Sequence, residues 1–366
     1  MNTVSNPAPF VKPKYAKRDV TGFYSVLRRR VDQYFIERNI AKRGGALVGF
    51  KTTLLLTMYT GFYILMLSSQ QPGYMLFFGI LFGLTNVLIV FSIAHDATHN
   101  ALFDNDRLNH ILSYTFDMVG ASAYLWNITH NQMHHGYVNV ADYDVDIHQQ
   151  APLIRVSPTV ERKPYHRFQP WYASFLYLIY SLYLVFRKDY EDFGIVNKKG
   201  SLALANRKHS RRSYYYFFAG KIVYYTITIL IPFLVLKVSI VKFLFGFILI
   251  HFIMSIFLAA VLIPVHLVDE ATFAVEVNHS IEDSWVMHVF KNTIDYSSNN
   301  KIANWFFGGL NNHLVHHLFP NICHVHYIPL SRIIEKTAKE FGLHYKSVSM
   351  REAIASHYRL LRRMSK

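Results

Sequence analysis

From Thr52 to Ala94 the chain carries no Asp, Glu, Lys or Arg, and Gln70, Gln71, Pro72 and Gly73 break this apolar stretch near its middle. A helix needs about 20 apolar residues to cross the hydrocarbon core of a bilayer. The stretch therefore predicts two spans, about 50–69 and 74–94, joined by a tight turn. A second pair is predicted at about 216–236 and 243–265, with Lys237 and Lys242 in the short connection between them. Pro170 to Phe186 is also apolar, but it is rich in tyrosine and is assigned to the membrane interface as an amphipathic or partly sunken helix. Leu102 to Thr129 is not a span either, because Asp117 at a bilayer centre would cost roughly 2.5–3.5 kcal/mol. The expected architecture is an all-α integral membrane protein with four transmembrane helices in two hairpins.

Composition agrees with this pattern: hydrophobic residues are 52% of the 366 and charged residues 17%, too few for the surface of a soluble domain. The net charge of +15 is concentrated in blocks. Arg28, Arg29, Arg30, Arg38, Lys42 and Arg43 precede the first pair of spans, Arg207, Lys208, Arg211 and Arg212 precede the second, and Arg359, Arg362 and Arg363 close the chain. Basic flanks place both termini in the cytoplasm. The charge is read as contact with anionic headgroups rather than with nucleic acid, for which no motif is present. A lone cysteine, Cys323, excludes an intrachain disulfide and fits a reducing compartment. No signal peptide is visible in the polar, basic first forty residues. Residues 1–44 are expected to be a cytoplasmic segment, 45–345 the membrane domain and 346–366 a basic tail.

Histidines carry the candidate chemistry. They fall into three groups: His95 and His99 in HDATH, His130, His134 and His135 in HNQMHH, and His313, His316 and His317 in HLVHH. With 20 His in the chain, one specified three-His pattern arises by chance about 0.06 times, so two such triplets and a pair are not compositional noise. Residues three or four apart on a helix are neighbours, and each box can present imidazoles on one face. Ligands of one site must share one side of the membrane, which requires an even number of spans between boxes and yields a cytoplasmic helical cap carrying all three. Eight imidazoles exceed the need of one zinc ion and point to two metals, although imidazole also suits iron, copper and nickel. His251, isolated inside a predicted span, is read as a packed or water-bound residue.

The boxes, in this order around two predicted hairpins, resemble the membrane fatty acid desaturase family over about residues 45–345. GGLNNHLVHHLFP (Gly308 to Pro320) and HNQMHHGYVNV resemble in particular its front-end and linoleoyl-CoA branch. That resemblance implies a diiron centre with about nine His ligands. His266 in PVHLVDE matches the family's additional histidine, with His279 and His288 as competitors. It further implies O2-dependent removal of two hydrogens from adjacent methylenes, giving a cis double bond, with O2 reduced to water and no catalytic group beyond the metal ligands. Two electrons would come from a separate ferredoxin or cytochrome b5 type donor, since no HPGG haem motif occurs. The substrate would be a fatty acyl-CoA or acyl lipid, in a bacterial inner membrane or the endoplasmic reticulum.

One departure is His313, where front-end enzymes often carry Gln. Asp96 and Asp142 are expected to support box histidines from behind, with Asn139, Asp144 and Asp146 in the same polar run, and Trp126 to line the acyl site. Gly308 and Gly309 would permit close backbone approach, and Arg207 and Lys208 would anchor a phosphate or an electron donor. A hydroxylase or a carotenoid or sterol oxidase on the same scaffold is the nearest alternative, and a membrane metal transporter the alternative from another class.

Overall fold

A computed structural model describes residues 13–16, 19–141, 143–145, 147, 153–197 and 209–366. Asp142, Asp146, Arg207 and Lys208 lie outside them. Four helices are long and apolar enough to cross a membrane: Gly45–Ser68, Pro72–Thr98, Arg211–Val235 and Ile240–Val265. Each contains the corresponding predicted span nearly whole. Neither Leu102–Thr129 nor 170–186 forms another; the former breaks into short helices, among them Asp106–Ser113, Thr115–Met118 and Ala123–Trp126. Asp117 is drawn into the protein, where its carboxylate accepts from the Ala123 amide and burial pushes its pKa up to about 7.

The second and fourth spans form an inner pair, 56% and 50% buried over their apolar windows, whereas the first and third are 28% and 17% buried. Outward-facing Phe50, Phe77, Ile222, Leu234 and Phe245 stay exposed, which a helix tolerates when hydrocarbon is its solvent. The helix Gln169–Leu178 and its continuation Tyr180–Tyr183 pack along the fourth span, with Ala173 and Ser181 buried while Trp171 and Phe175 point outward. Buried charges tie these layers together. Lys221 on the third span pairs with Asp189 at 2.7 Å and donates to the Gly120 and Val185 carbonyls. Removing one member of such a pair strands the other, at a cost of about 3–5 kcal/mol.

The flanking segments are packed through amphipathic helices. In helix Phe23–Arg38 the residues Phe23, Leu27, Val31 and Phe35 recur every four positions and are buried against helix Tyr327–Glu340. Burial of each such side chain contributes roughly 1.5–3 kcal/mol. The basic C-terminal residues hold the amphipathic helix Met350–Met364, capped by Ser349, with Leu360, Leu361 and Met364 buried. His357 on this helix bonds the Leu267 carbonyl and the Tyr177 hydroxyl, fixing the segment that follows the fourth span.

Two departures from regular helix shape the ligand-bearing end. The second span widens into a π-helical turn at Val90–Ala94, directly before His95, and the second box lies on a π-helix, Asn127–His134, rather than an α-helix. Wider turns of this kind alter which side chains share a face and recur at functional sites. The turn before the third box presses on the first of them. Gly308 has φ +56°, and a Cβ there would collide with the Phe91 carbonyl oxygen. By contrast Gly45, at φ +59°, has open space around it. Gly45→Ala should cost only the left-handed backbone strain, about 1–2 kcal/mol, and Gly308→Ala clearly more. Unfolding midpoints of the two variants in detergent would check this; equal midpoints would mean that the approach to Phe91 is not a rigid one.

Candidate metal centre

All nine histidines singled out in the sequence converge. His95 ends the second span and His99 follows it; His130 and His134 lie on the π-helix with His135 just after; His266 follows the fourth span; His313, His316 and His317 occupy the short helix His313–Leu318. Ring nitrogens of His95, His99, His130 and His316 lie within 4.8 Å of one another, and so do those of His134, His266, His313 and His317. His135 stands between the two groups, its Nε2 3.2 Å from His130 Nε2 and its ring stacked 4.3 Å from that of His317. The first and third boxes meet directly, with the His95 and His316 rings 4.3 Å apart.

The surroundings set the state of these rings. Burial first, and neighbouring imidazoles second, hold His99, His130, His135, His316 and His317 well below the ordinary histidine range. Burial also pushes His266 down to about 3. These six rings are therefore held neutral, each with a lone pair to offer. Among the described residues, His95 Nε2, His99 Nε2, His135 Nδ1, His313 Nδ1, His316 Nε2 and His317 Nδ1 are buried without a hydrogen-bond partner. An unsatisfied buried polar atom costs about 1–3 kcal/mol. His266 Nε2 and His317 Nε2 lie 2.9 Å apart, within hydrogen-bond distance, so the rings meet nitrogen to nitrogen. Converging lone pairs of this kind fit cations, and two groups of four with a ninth between them fit a pair.

Outer partners fix ring orientation. His134 Nδ1–H donates to the Asp144 carboxylate at 3.1 Å, and His266 Nδ1–H donates to the Asn292 carbonyl at 2.9 Å. Both leave Nε2 facing inward, the usual arrangement behind a metal-ligating imidazole. Asn139 donates to the His266 carbonyl, and its amide donates to Asp144. Asp295 receives the Leu314 amide and the Tyr345 hydroxyl, holding the start of the third-box helix; burial pushes its pKa up to about 7. His279 is exposed and paired with Glu276, and His288 bonds the Val138 carbonyl, so neither competitor joins the cluster.

Asp96 does not hold a box histidine as its main partner. It lies 3.7 Å from His95 Nδ1, but its other oxygen receives the His324 Nδ1–H at 2.7 Å and the His324 amide at 3.1 Å. His324 Nε2 in turn receives Lys51 Nζ at 3.2 Å. This Lys51–His324–Asp96 chain is absent from the sequence reading. Its only trace there is Lys51 as the last charge before the long uncharged run. With Cys323 it forms a third cluster of candidate ligands, yet its polar atoms bond one another and burial keeps the Cys323 thiol protonated.

Beside the imidazoles lies a cavity of about 140 Å³. His95, His130, His134, His266 and His313 line one part, and Val87, Val90, Leu184, Leu258 and Met254 another. Trp126 forms its wall, stacked 4.6 Å from both His130 and Phe116.

A family model described as fatty acid desaturase matches residues 72–349, which contain all nine histidines. The chain belongs to the fatty acid desaturase family. It is 33% identical, over 94% of its length and 96% of the relative's, to the sn-1 linoleoyl-lipid 6-desaturase of Synechocystis sp.. It is 30% identical to the protein of the same name from Arthrospira platensis, over 94% of the chain and 93% of the relative. To the acyl-lipid (8-3)-desaturase of Physcomitrium patens it is 29% identical, over 96% and 73%. The protein is thus an acyl desaturase, an oxidoreductase of the membrane family to which the three boxes pointed, within its front-end branch.

The geometry separates the clustered histidines, which could hold metal, from bystanders. In the purified desaturase, His317→Ala should lose most bound metal and His279→Ala should keep it. Asp144→Asn should weaken metal affinity about 10- to 100-fold. Metal content by mass spectrometry after dialysis against a graded chelator checks all three; full retention by the His317 variant would remove that residue from the ligand set.

Proposed function

We propose that the nine imidazoles hold two iron ions, one within each group of four with His135 between, and that the desaturase introduces a cis double bond on the carboxyl side of an existing one in a lipid-esterified acyl chain. The observation that carries this reading is the cavity joined directly to the imidazole cluster: an apolar slot bounded by Trp126, Phe116, Val90 and Leu258. Substrate position comes from the relatives, whose printed names are a linoleoyl-lipid 6-desaturase and an acyl-lipid (8-3)-desaturase. His313 in place of the frequent Gln leaves the donor set nitrogen-only.

When bound, the iron pair supplies O2 activation, so that two hydrogens leave adjacent methylenes and O2, with two electrons and two protons, becomes two waters. The protein's own residues do the rest. An unactivated methylene has no polar handle, so Trp126 and Phe116 align it by shape alone. Val87, Val90 and Leu258 keep water from the reacting carbons. Asp144 and the Asn292 carbonyl retain the Nδ1 protons of His134 and His266, which keeps Nε2 of each directed at the centre.

The electrons come from a ferredoxin or cytochrome b5 type protein, for which Arg28, Arg29, Arg30 and the other basic residues outside the spans form a matching surface. The four spans form two hairpins within a membrane domain of residues 45–345. Both termini and the helical cap over the metal centre face the cytoplasm, in a bacterial inner membrane or the endoplasmic reticulum. Transport of metal is not favoured, because His95 and His266 stand at span ends rather than along a path between helices.

The test is the acyl profile of host lipids, with double bonds located by mass spectrometry, in cells expressing the protein or His316→Ala. A new carboxyl-side double bond on intact lipid, absent with the variant, is expected. A hydroxylated product would overturn the reaction. Conversion of supplied acyl-CoA but not of acyl lipid by washed membranes would overturn the carrier.

A further inference from the structure

Two cavities adjoin inside the helices. The smaller borders the imidazoles; the larger, about 520 Å³, lies deeper among the spans, bounded by Tyr63, Pro72, Phe82, Ile227, Leu236 and Phe247. Met254 is the one described residue that lines both. Between them stands a hydrogen-bonded wall of side chains. Ser181 Oγ lies 2.9 Å from His251 Nδ1 and 2.8 Å from Ser255 Oγ, and the Tyr224 hydroxyl lies 3.1 Å from His251 Nε2. Ser181 faces the smaller cavity, while His251 and Tyr224 face the larger.

A histidine in a membrane span is costly and calls for a reason. Here both ring nitrogens are occupied by hydroxyls from other elements, Ser181 on the helix packed against the fourth span and Tyr224 on the third span. The ring therefore cross-links three elements, and it does so where two apolar spaces would otherwise merge. A hydrogen-bonded wall has a fixed position, whereas an apolar one of the same size can yield to an advancing methyl group.

We infer that the Ser181–His251–Tyr224 wall, with Met254 filling the gap beside it, is the floor of the acyl site and limits how far a chain extends past the metal centre. The inference rests on reading the smaller cavity as the acyl site. The larger cavity is then space the wall keeps out of reach, and the wall selects chain length rather than taking part in the chemistry.

The experiment uses host cells supplied with acyl chains that differ in steps of two carbons, the ratio of their desaturated products being read by mass spectrometry at matched protein levels. Opening the wall with His251→Ala and Met254→Ala together should shift that ratio toward chains longer than the native optimum, by about 10-fold or more per step. Raising the floor with Ser181→Leu should shift it the opposite way, and this milder change serves if the opened variant does not accumulate. Leu258→Trp, within the smaller cavity, tests the underlying reading and should abolish conversion. Unchanged ratios alongside a dead Leu258 variant would overturn the wall's role and leave the acyl site standing. An active Leu258 variant with the native chain preference would overturn both.

Discussion

Nine imidazoles drawn together, seven buried and His99 and His130 half-buried, with no carboxylate in either group of four, are the constraint on which the remainder of the structure depends. Buried ring nitrogens without a partner are costly, so the arrangement calls for cations at its centre and for rigid external support. That support is visible on each side. The Asp144 carboxylate and the Asn292 carbonyl hold His134 and His266, Asp295 holds the start of the third-box helix, and Gly308 brings the preceding turn against the backbone of Phe91.

Four spans alone could not do this, because they deliver only His95 and His266 to the centre. The other seven imidazoles come from segments outside the spans, which have to be held at the correct height. Buried charges provide the fastening. Lys221 anchors the segment around Gly120 and Val185 to the third span, and Lys51 with Asp96 anchors His324, a few residues beyond the third box. A charge inside an apolar body is costly unless paired, so each of these contacts has essentially one satisfactory geometry.

The same logic separates chemistry from selection. Beside the imidazoles, Val87, Val90, Phe116, Trp126 and Leu258 give the cavity an aromatic and aliphatic side suited to a chain without polar handles, and Ser181, which bonds His251, lines it as well. A desaturase must bring one pair of carbons among many identical ones to its metal centre. Shape is the only discriminating property available, and shape requires walls that do not move.

Much of this protein was legible in one dimension. Uncharged runs bounded by basic blocks determine four spans, because bilayer thickness is fixed and charge is excluded from hydrocarbon. The spacing of histidines at 95–99, 130–135 and 313–317 determines the donor set, because chance does not produce it, and it carried the family resemblance as well. Other features depended on groups far apart in sequence. Asp96 reads as support for a box histidine and lies 3.7 Å from His95 Nδ1, but its shorter bond is to His324, 228 positions away. The second box reads as an α-helical face but lies on a π-helix. His251 reads as a packed or water-bound residue, but that its two ring nitrogens meet Ser181 and Tyr224 is visible only in the fold. Local pattern reports what a residue can offer; only folding decides which partner is close enough to accept it, since hydrogen bonds and close packing act over a few ångströms and sequence distance does not enter.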